Sequence, residues 1–444
     1  MPLLRWTRLL AIVSCTALSA CTEHMIPTPY VMYGERGREI FAEVPESLRT
    51  NDVKVFYVTD RSVERTTERG PEYGFGRAKS FTYGVATVQL GEDVTWDELV
   101  ADSTSATRVH TYIPKVTHVE ELGQFPTLAS LMEARDRRLF PKPSAAAELL
   151  ESEDILGRAL QPFIAQAERK DAVVFVHGFN NSFDDAVVRI AQAWHLAGRQ
   201  GIPIVYTWPA GAGVFEYARD RESGEFTIVH LKLFLCSLAR CQQIERVHVV
   251  SHSRGTDVAT TAIRELNAEL RGAGQSLVVQ SLRLTPYPTD PSAKRPTTAD
   301  LLKLHTLVLA APDIDLEVFQ QRFIGEALVN SARRVVIYFS PTDKALDWAG
   351  WLFGSQKRLG MLALDDFTPE MRSLLAQLDQ PELVQCDVSG TSSHSYLLQH
   401  PGAFSDLILM LRDSRAPGAA NGRPLKEPFP GLWEMDDDYL KPTK

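Results

Sequence analysis

Residues 247–257, with the sequence VHVVSHSRGTD, constrain the fold of this chain more than any other stretch. Three valines run into a turn of small and polar residues around Ser253, and an amphipathic helical pattern begins at Thr256. A strand, a sharp turn at a serine and then a helix are the layout of a nucleophile elbow, which exposes the serine Oγ at the end of the strand. The helix N-terminus behind such a turn directs backbone N–H groups at an oxyanion formed there.

The elbow departs from the G-x-S-x-G pattern at one position, because Ser251 stands where glycine is usual. The turn crowds this position, and serine is the next smallest polar residue. Taken alone, H-S-x-G is equally compatible with a buried polar turn. The strand before it and the helix after it favour the elbow.

The composition of the chain is that of an ordinary globular protein. Its 444 residues are 44% hydrophobic and 23% charged, which is enough for a sizeable core in one large domain or in two or three smaller ones. The formal net charge of −9 argues against a nucleic-acid partner. No stretch beyond residue 21 approaches the ~20 consecutive apolar residues that span a bilayer.

Residues 1–21 are predicted to be a bacterial lipoprotein signal peptide. Two arginines precede a twelve-residue apolar core that is too short for a transmembrane helix, and this core closes on Leu18-Ser19-Ala20-Cys21, which resembles a lipobox. We therefore expect lipidation of Cys21 and stable membrane attachment. The alternative is an ordinary cleaved signal with an incidental cysteine. In the lipoprotein pattern of enteric bacteria that this segment resembles, a residue other than aspartate after the cysteine goes with the outer membrane. Thr22 follows Cys21, so the resemblance favours the outer membrane, facing the periplasm, over the inner membrane.

Three cysteines lie beyond the signal region, namely Cys236, Cys241 and Cys386. In an oxidising compartment two of them are able to form a disulfide. The first two are five positions apart, which is too far on a continuous helix, so a bridge requires the helix to end near Arg240. No pair has the spacing of zinc ligands.

Apolar runs and amphipathic stretches alternate through the middle of the chain. Strands are predicted at 54–59, 82–90, 172–176, 204–208, 247–250, 306–311, 334–339 and 383–388. Helical patterns separate them, so we expect an α/β fold with a mostly parallel central sheet and helices on both faces. Such sheets bind ligands at the carboxyl ends of their strands.

The domain organisation follows from the same patterns. Residues 22–50 are polar with prolines and are predicted to be a tether, 51–415 the folded domain, and 416–444 a C-terminal tail. A helical pattern is predicted across 125–169, and residues 273–300, rich in proline and threonine, are predicted to form an excursion or flap.

A serine nucleophile needs an imidazole that takes its proton. Of the histidines after Ser253, His394 lies in a small-residue loop after the last strand and before a helix, where a base is expected. His305 precedes a strand and so belongs to the opposite sheet edge. His400 ends an apolar stretch and is expected to cap a helix or lie at the surface. The alternative for His394 is a purely structural loop hydrogen bond.

The imidazole also needs a carboxylate, and the oxyanion needs two N–H donors. Asp343 follows the RVVIYF strand and Asp313 the strand before it; the fold accepts an acid after either. We favour Asp343 and keep Asp313 as the alternative acid, whose other interpretation is a helix N-cap. The predicted oxyanion donors are the backbone N–H groups of Phe179 and Arg254.

Two other features have less specific interpretations. Asp60 and Arg61 follow the first strand, and we expect them to pair with each other rather than reach the rim of the site. The apolar stretch 348–353 (WAGWLF) is more often core packing than an acyl pocket. No Walker loop, dinucleotide fingerprint or HExxH motif is present, so we expect neither a cofactor nor a metal.

Seven motifs in order resemble a bacterial α/β-hydrolase family of unknown function. They are VFYVTDR, VHGFNN, Trp-Pro after the next strand, SHSRGTD, LAAPDID, YFSPTDKAL with a downstream RLG, and DVSG followed by HSY. The resemblance covers about residues 51–411 and implies the α/β-hydrolase fold with a Ser253–Asp343–His394 triad. The substrate of the family is not established, so the resemblance implies no physiological reaction.

We therefore expect a membrane-anchored, carboxylesterase-like serine hydrolase that cleaves an ester, thioester or amide through an acyl-enzyme. Its expected partners are a small-molecule or lipid-like acyl substrate and the membrane. Alternatives are an acyltransferase or a peptidase on the same triad, or a non-catalytic envelope lipoprotein that uses the fold as a binding scaffold.

Overall fold

The computed structural model describes residues 24–211, 217–271, 296–346, 357–379, 381–388 and 394–442. The predicted signal peptide with Cys21, most of the 273–300 segment and all of the 348–353 stretch lie outside these ranges.

The secondary structure alternates strands and helices through the middle of the chain. The strands are β1 Asp52–Thr67, β2 Gly70–Gln89, β3 Lys115–Gln124, β4 Met132–Arg135, β5 Arg138–Pro141, β6 Asp171–Val176, β7 Ile202–Thr207, β8 Arg246–His252, β9 Leu304–Ala310, β10 Arg334–Phe339, β11 Pro381–Cys386, β12 Lys426–Phe429 and β13 Leu432–Met435. The helices are α1 Gly34–Ala42, α2 Trp96–Ser103, α3 Ala145–Gln166, α4 Phe183–Leu196, α5 Tyr217–Arg240, α6 Gly255–Arg271, α7 Thr298–Leu301, α8 Leu316–Gln320, α9 Pro369–Leu375, α10 Tyr396–Gln399 and α11 Pro401–Leu411.

Within the described ranges the main sheet has the strand order β12-β13-β11-β10-β9-β8-β6-β7-β1-β2-β3. Pairing is parallel from β13 through to β1, and β2, β3 and β12 add antiparallel pairs at the two edges. This architecture confirms the predicted α/β fold. The parallel strands end along one edge, called the carboxyl edge below.

Both faces of the central strands are buried, as expected for a parallel sheet. In β6, Val174 and Val176 pack into the core on one face, whereas Phe175 packs into the core on the other. Because successive side chains point to opposite faces, the continuous apolar run AVVFV is what such a strand requires.

The structure differs from the expectation of a tether over residues 22–50. The described part of this segment carries α1 and packs on the domain: the Ile26 N–H donates to Gln192 Oε1 at 2.7 Å and the Val31 N–H to Ser405 Oγ at 3.1 Å. Its apolar side chains are buried, among them Met25, Ile26, Val31, Met32, Ile40 and Phe41. Proline and polar residues dominated the pattern, but burial of these apolar side chains decides the packing.

The C-terminal stretch also differs from the expected surface tail. Strand β13 pairs in parallel with β11, and β12 pairs with β13, so residues 426–435 extend the sheet. Arg423 is fully buried and donates to Asp406. The proline, glycine and acidic content of this stretch concealed two short strands.

The prediction of helix across 125–169 is wrong for its first half. Residues 132–141 form the β4–β5 hairpin, and the helix, α3, starts at Ala145. The hairpin turns at Asp136 and Arg137, whose φ angles of 50° and 60° are left-handed. Pro141 and Pro143 prevent the helical pattern before them from joining α3.

Cys236, Cys241 and Cys386 are all free thiols in the structure. Helix α5 includes Cys236 and ends at Arg240. None of the helices within the described ranges combines the length and the apolar character that crossing a bilayer requires.

Candidate active site

Ser253 occupies the turn between β8 and α6, and its backbone conformation is strained. Its φ of 52° lies in the left-handed region, which a non-glycine residue seldom adopts. Surrounding hydrogen bonds hold it there: the Ser253 N–H donates to the Ala310 carbonyl at 2.9 Å, and its own carbonyl accepts the Thr256 N–H at 3.0 Å. The turn therefore has the geometry of a nucleophile elbow.

Ser251 fits the position where glycine is usual because its hydroxyl has a partner. The side chain is fully buried, and Oγ donates to the Val308 carbonyl of neighbouring β9 at 2.8 Å. A buried hydroxyl without a partner would destabilise the fold. The departure from G-x-S-x-G is thus accommodated by one hydrogen bond to the adjacent strand.

Two glycines allow the elbow to pack against the turn that follows β6. A Cβ on Gly178 would lie 2.6 Å from Ser253 Cβ, and a Cβ on Gly255 would lie 2.3 Å from the His177 carbonyl oxygen. Neither position accepts a side chain without movement of the backbone. The turns that carry Phe179 and Arg254 are therefore in direct contact, on either side of Ser253.

The Arg254 side chain belongs to a charged group at the start of α6. It pairs with Asp257 at 2.9 Å, and Arg322 pairs with the same carboxylate. Burial raises the pKa of the Asp257 carboxyl, but the two arginines outweigh burial and hold that pKa below its usual value.

His394 and Asp343 form a hydrogen-bonded pair. His394 Nδ1 lies 2.7 Å from Asp343 Oδ2, and the Asp343 side chain is completely buried. The other carboxylate oxygen accepts the N–H groups of Ala345 and Leu346 at 3.1 and 3.3 Å. An ionised carboxylate accepts and does not donate, so the proton is on Nδ1 and Nε2 is free to accept.

His252 connects the elbow to the loop of His394. Its Nε2 donates to the His394 carbonyl at 2.8 Å, and the two rings lie 4.8 Å apart between centroids. Ser253 and His394 both belong to the described residues, and no hydrogen bond joins the Ser253 hydroxyl to the His394 imidazole in them. The structure thus brings the two residues to one edge but does not place them in hydrogen-bond contact.

Asp313 is also close to the elbow but has a different partner. Its N–H donates to the Ser253 carbonyl at 3.3 Å, and its carboxylate lies 3.4 Å from Arg358 Nε. Asp315, two residues later, is the N-cap of α8. Of the two aspartates proposed for the acid, Asp343 contacts the imidazole.

The expected pair between Asp60 and Arg61 does not form, because adjacent residues of a strand point to opposite faces. Asp60 accepts from Thr227 at 2.7 Å and lies 2.9 Å from His230 Nδ1. Arg61 is buried and binds carbonyl oxygens of strand β2 and of two loops, including Asn181 O at 2.7 Å. Burial lowers the pKa of Arg61 to about 10.

His177 has a structural environment. Its ring stacks on Trp208 at 5.5 Å, Nδ1 lies 2.8 Å from the Gly178 carbonyl, and its own carbonyl accepts the Trp208 Nε1–H at 2.7 Å. Burial, assisted by the charge of Arg61, holds the His177 pKa well below its usual value. These contacts orient the turn that carries Phe179.

A cavity of about 100 Å³ lies between α4 and α11. Its lining is largely apolar, with Phe175 and Val250 from the sheet, and it includes His252 and Ser395, the chain neighbours of Ser253 and His394. Ser253 does not line it. Among the described residues, no group of three or more His, Cys, Asp or Glu side chains is arranged to hold a metal ion.

Sequence reasoning missed the contacts of His252 and Arg61. The side chain of His252 occupies the variable position of the elbow motif, which carries no signal of its own. Arg61 lies at the end of a predicted strand. Its burial cannot be inferred from the sequence, because it depends on which backbone carbonyls the folded chain brings to the guanidinium.

Comparison with known proteins identifies the family of this chain. A family model described as "Alpha/beta hydrolase of unknown function (DUF900)" matches residues 152–411. The VFYVTDR motif lies before this range. No curated protein matches the chain, and no solved structure does. The matched range is more than half of the 444 residues, so the chain belongs to this α/β-hydrolase family of unknown function.

Proposed function

We propose that this protein is a serine hydrolase that cleaves an ester, thioester or amide through an acyl-enzyme. In this proposal Ser253 is the nucleophile, His394 the general base and Asp343 the carboxylate that orients it. The backbone N–H groups of Phe179 and Arg254 bind the oxyanion. The substrate class is a small-molecule or lipid-like acyl compound.

The observation that carries the proposal is the 2.7 Å contact between His394 Nδ1 and Asp343, at the edge where Ser253 holds a left-handed backbone. The buried carboxylate sets the tautomer in which Nε2 accepts a proton. A strained serine conformation that the surrounding hydrogen bonds maintain is typical of functional sites.

The reaction follows from these roles. Ser253 Oγ attacks the acyl carbon as His394 Nε2 takes the hydroxyl proton, and the oxyanion forms between the two interlocked turns. The imidazolium then protonates the leaving alcohol, thiol or amine, and the acyl-enzyme remains. Water, deprotonated by the same nitrogen, releases the carboxylic acid, and the proton returns to Ser253.

The missing hydrogen bond between Ser253 and His394 favours one rival, a non-catalytic protein that uses the fold as a scaffold. Catalytic hydrogen bonds are often long or poorly aligned before substrate binds, and the base role of His394 is compatible with this gap. An acyltransferase or peptidase would use the same groups, with an acceptor other than water or with an amide substrate.

The deciding experiment is labelling of the folded protein by a fluorophosphonate probe. We expect the wild type to label and Ser253→Ala not to, and we expect turnover of p-nitrophenyl esters to fall by up to ~10⁶-fold in the variant. Ser395→Ala is a matched control, because this partly exposed hydroxyl does not cap α10. Absence of labelling in folded wild-type protein would favour the scaffold.

We further propose that the protein is anchored to the bacterial outer membrane, facing the periplasm, through lipid on Cys21. The lipobox-like sequence before Cys21 supports this proposal. Incorporation of radiolabelled palmitate into the wild type but not into Cys21→Ser would agree with it, and equal incorporation would contradict it.

A further inference from the structure

The β4–β5 hairpin presents an apolar face. Cross-strand pairs share a face, so Ala134 and Leu139 lie on one side together with Met132 and Pro141, the pair at its base. Leu139 is 71% exposed, and Ala134 is exposed. A two-stranded hairpin by itself is at best marginally stable in water, and it is stabilised when this kind of face is covered.

The other side and the turn of the hairpin are basic. Residues 132–142 contain four basic and two acidic residues, in a chain whose net charge is −9. Arg135 pairs with Glu133 and lies 5.2 Å above the ring of Phe140. Arg137 and Arg138 are exposed, and neither forms an ion pair with any described residue.

The base of the hairpin lies at the carboxyl edge of the sheet. Strand β3 ends at Gln124, which pairs with Thr82 of β2. Thr82 pairs with Thr59 of β1, and Thr59 pairs with Thr207 at the end of β7, so β3 and β7 end at the same edge. After the hairpin, α3 runs back to the start of β6 at the opposite edge. Five strand spacings, about 24 Å, separate β3 from the elbow strand β8 on this edge.

We propose that the β4–β5 hairpin binds the surface of a lipid bilayer that carries anionic headgroups. Leu139 and its apolar neighbours would enter the interface, while Arg137 and Arg138 contact lipid phosphates. An apolar face bordered by unpaired arginines is complementary to such a surface. Contact there would turn the edge with Ser253 toward the membrane, but binding does not depend on the proposed triad.

The test is partitioning of the full chain onto phosphatidylcholine vesicles with and without phosphatidylglycerol. We expect stronger binding to the anionic vesicles, and weaker binding as salt is raised. At about fivefold per arginine near an anionic surface, Arg137→Gln with Arg138→Gln should lower partitioning about 25-fold. Leu139→Asp should lower partitioning to both kinds of vesicle.

Matched controls remove the same charges or add the same aspartate elsewhere. Lys54→Gln with Lys79→Gln removes two exposed cations from β1 and β2, and Val109→Asp changes a side chain that is 87% exposed. All variants keep residues 1–23, so the contribution of that segment is constant. Circular dichroism melting verifies that each variant is folded.

Equal partitioning of wild type and hairpin variants, or equal binding of wild type to neutral and anionic vesicles, would overturn the proposal. Retention on immobilised heparin without vesicle binding would assign the hairpin to a soluble polyanion and would also overturn it. Hydrolysis of a soluble ester is measured in parallel. If Ser253→Ala loses ester hydrolysis but still binds vesicles, the two properties are independent. Failure of the serine hydrolase proposal can then be distinguished from failure of the hairpin proposal.

Discussion

At the scale of single residues, two aspartates that follow neighbouring strands differ in the side chain they contact. Asp343 lies 2.7 Å from the His394 imidazole, whereas Asp313 lies 3.4 Å from the Arg358 guanidinium. Both positions suit the triad acid by sequence order alone. The side-chain contacts favour Asp343.

This difference predicts unequal effects of two isosteric changes. Asp343→Asn should lower kcat by about 10⁴-fold, because the amide no longer holds the proton on Nδ1. Asp313→Asn should have a far smaller effect on kcat, although it disturbs a buried ion pair. Ester hydrolysis by both variants, with folding verified by circular dichroism, gives the ratio of their kcat values. A larger loss in Asp313→Asn would reverse the assignment.

His252 gives a second prediction at this scale. Burial, assisted by the nearby His394 imidazole, holds the His252 pKa well below its usual value, so the ring is neutral and donates from Nε2. His252→Leu removes the hydrogen bond to the His394 carbonyl, worth about 1 kcal/mol, and should lower kcat roughly fivefold with KM little changed.

The conservative variant His252→Gln distinguishes positioning from packing, because its amide nitrogen can donate to the same carbonyl. We expect it to recover most of kcat. If the glutamine and leucine variants lose the same activity, or if KM changes instead of kcat, the hydrogen bond does not position the base.

At the scale of elements, the contact between the β6 turn and the elbow depends on glycine. Gly178→Ala would place a methyl group 2.6 Å from Ser253 Cβ, so the two turns must separate. We expect a loss of stability of about 1–3 kcal/mol and a larger proportional loss of activity, since the candidate oxyanion donors move with the turn.

Gly325→Ala is the control for this change, because a Cβ at Gly325 would meet no atom within 4 Å. Urea unfolding and ester hydrolysis of both variants test the prediction. An active, stable Gly178→Ala variant would show that the two turns tolerate separation.

Element prediction succeeded where local pattern and tertiary environment agree. The RVVIYF strand is found at Arg334–Phe339 as predicted, since six apolar-rich residues suit burial on both faces. It failed at Met132–Pro141, where helix-forming residues adopt a hairpin. Intrinsic propensity is a weak preference there, and a left-handed two-residue turn overrides it.

At the scale of the whole molecule, the C-terminal residues are held by a buried ion pair. Asp406 accepts from Arg423 at 2.9 and 2.8 Å and from Tyr338 at 2.6 Å. It also accepts from Tyr439. Asp406→Asn leaves the fully buried guanidinium short of negative charge and should destabilise the fold by about 3–5 kcal/mol. Asp438→Asn, in an exposed pair with Lys441, should have little effect.

The same pair predicts a pH dependence. Burial raises the pKa of Asp406, but Arg423 outweighs burial and holds it below its usual value. A carboxyl whose folded pKa is lowered stabilises the protein above its unfolded pKa of about 3.9, and this stability is lost as pH falls. The free energy of unfolding, measured with urea, should therefore fall less for Asp406→Asn than for the wild type as the pH is lowered. Parallel pH profiles would contradict this.

The sequence by itself determined the alternation of strands and helices, the order of the motifs and the strained turn at Ser253. These depend on local periodicity and on residue size in a tight turn. Only the tertiary structure decided which carboxylate meets His394, that Asp60 and Arg61 have separate partners, and that residues 24–50 and 416–442 pack on the domain. Such contacts join residues far apart in sequence, and burial and hydrogen bonding across the folded core select them, which no local pattern records.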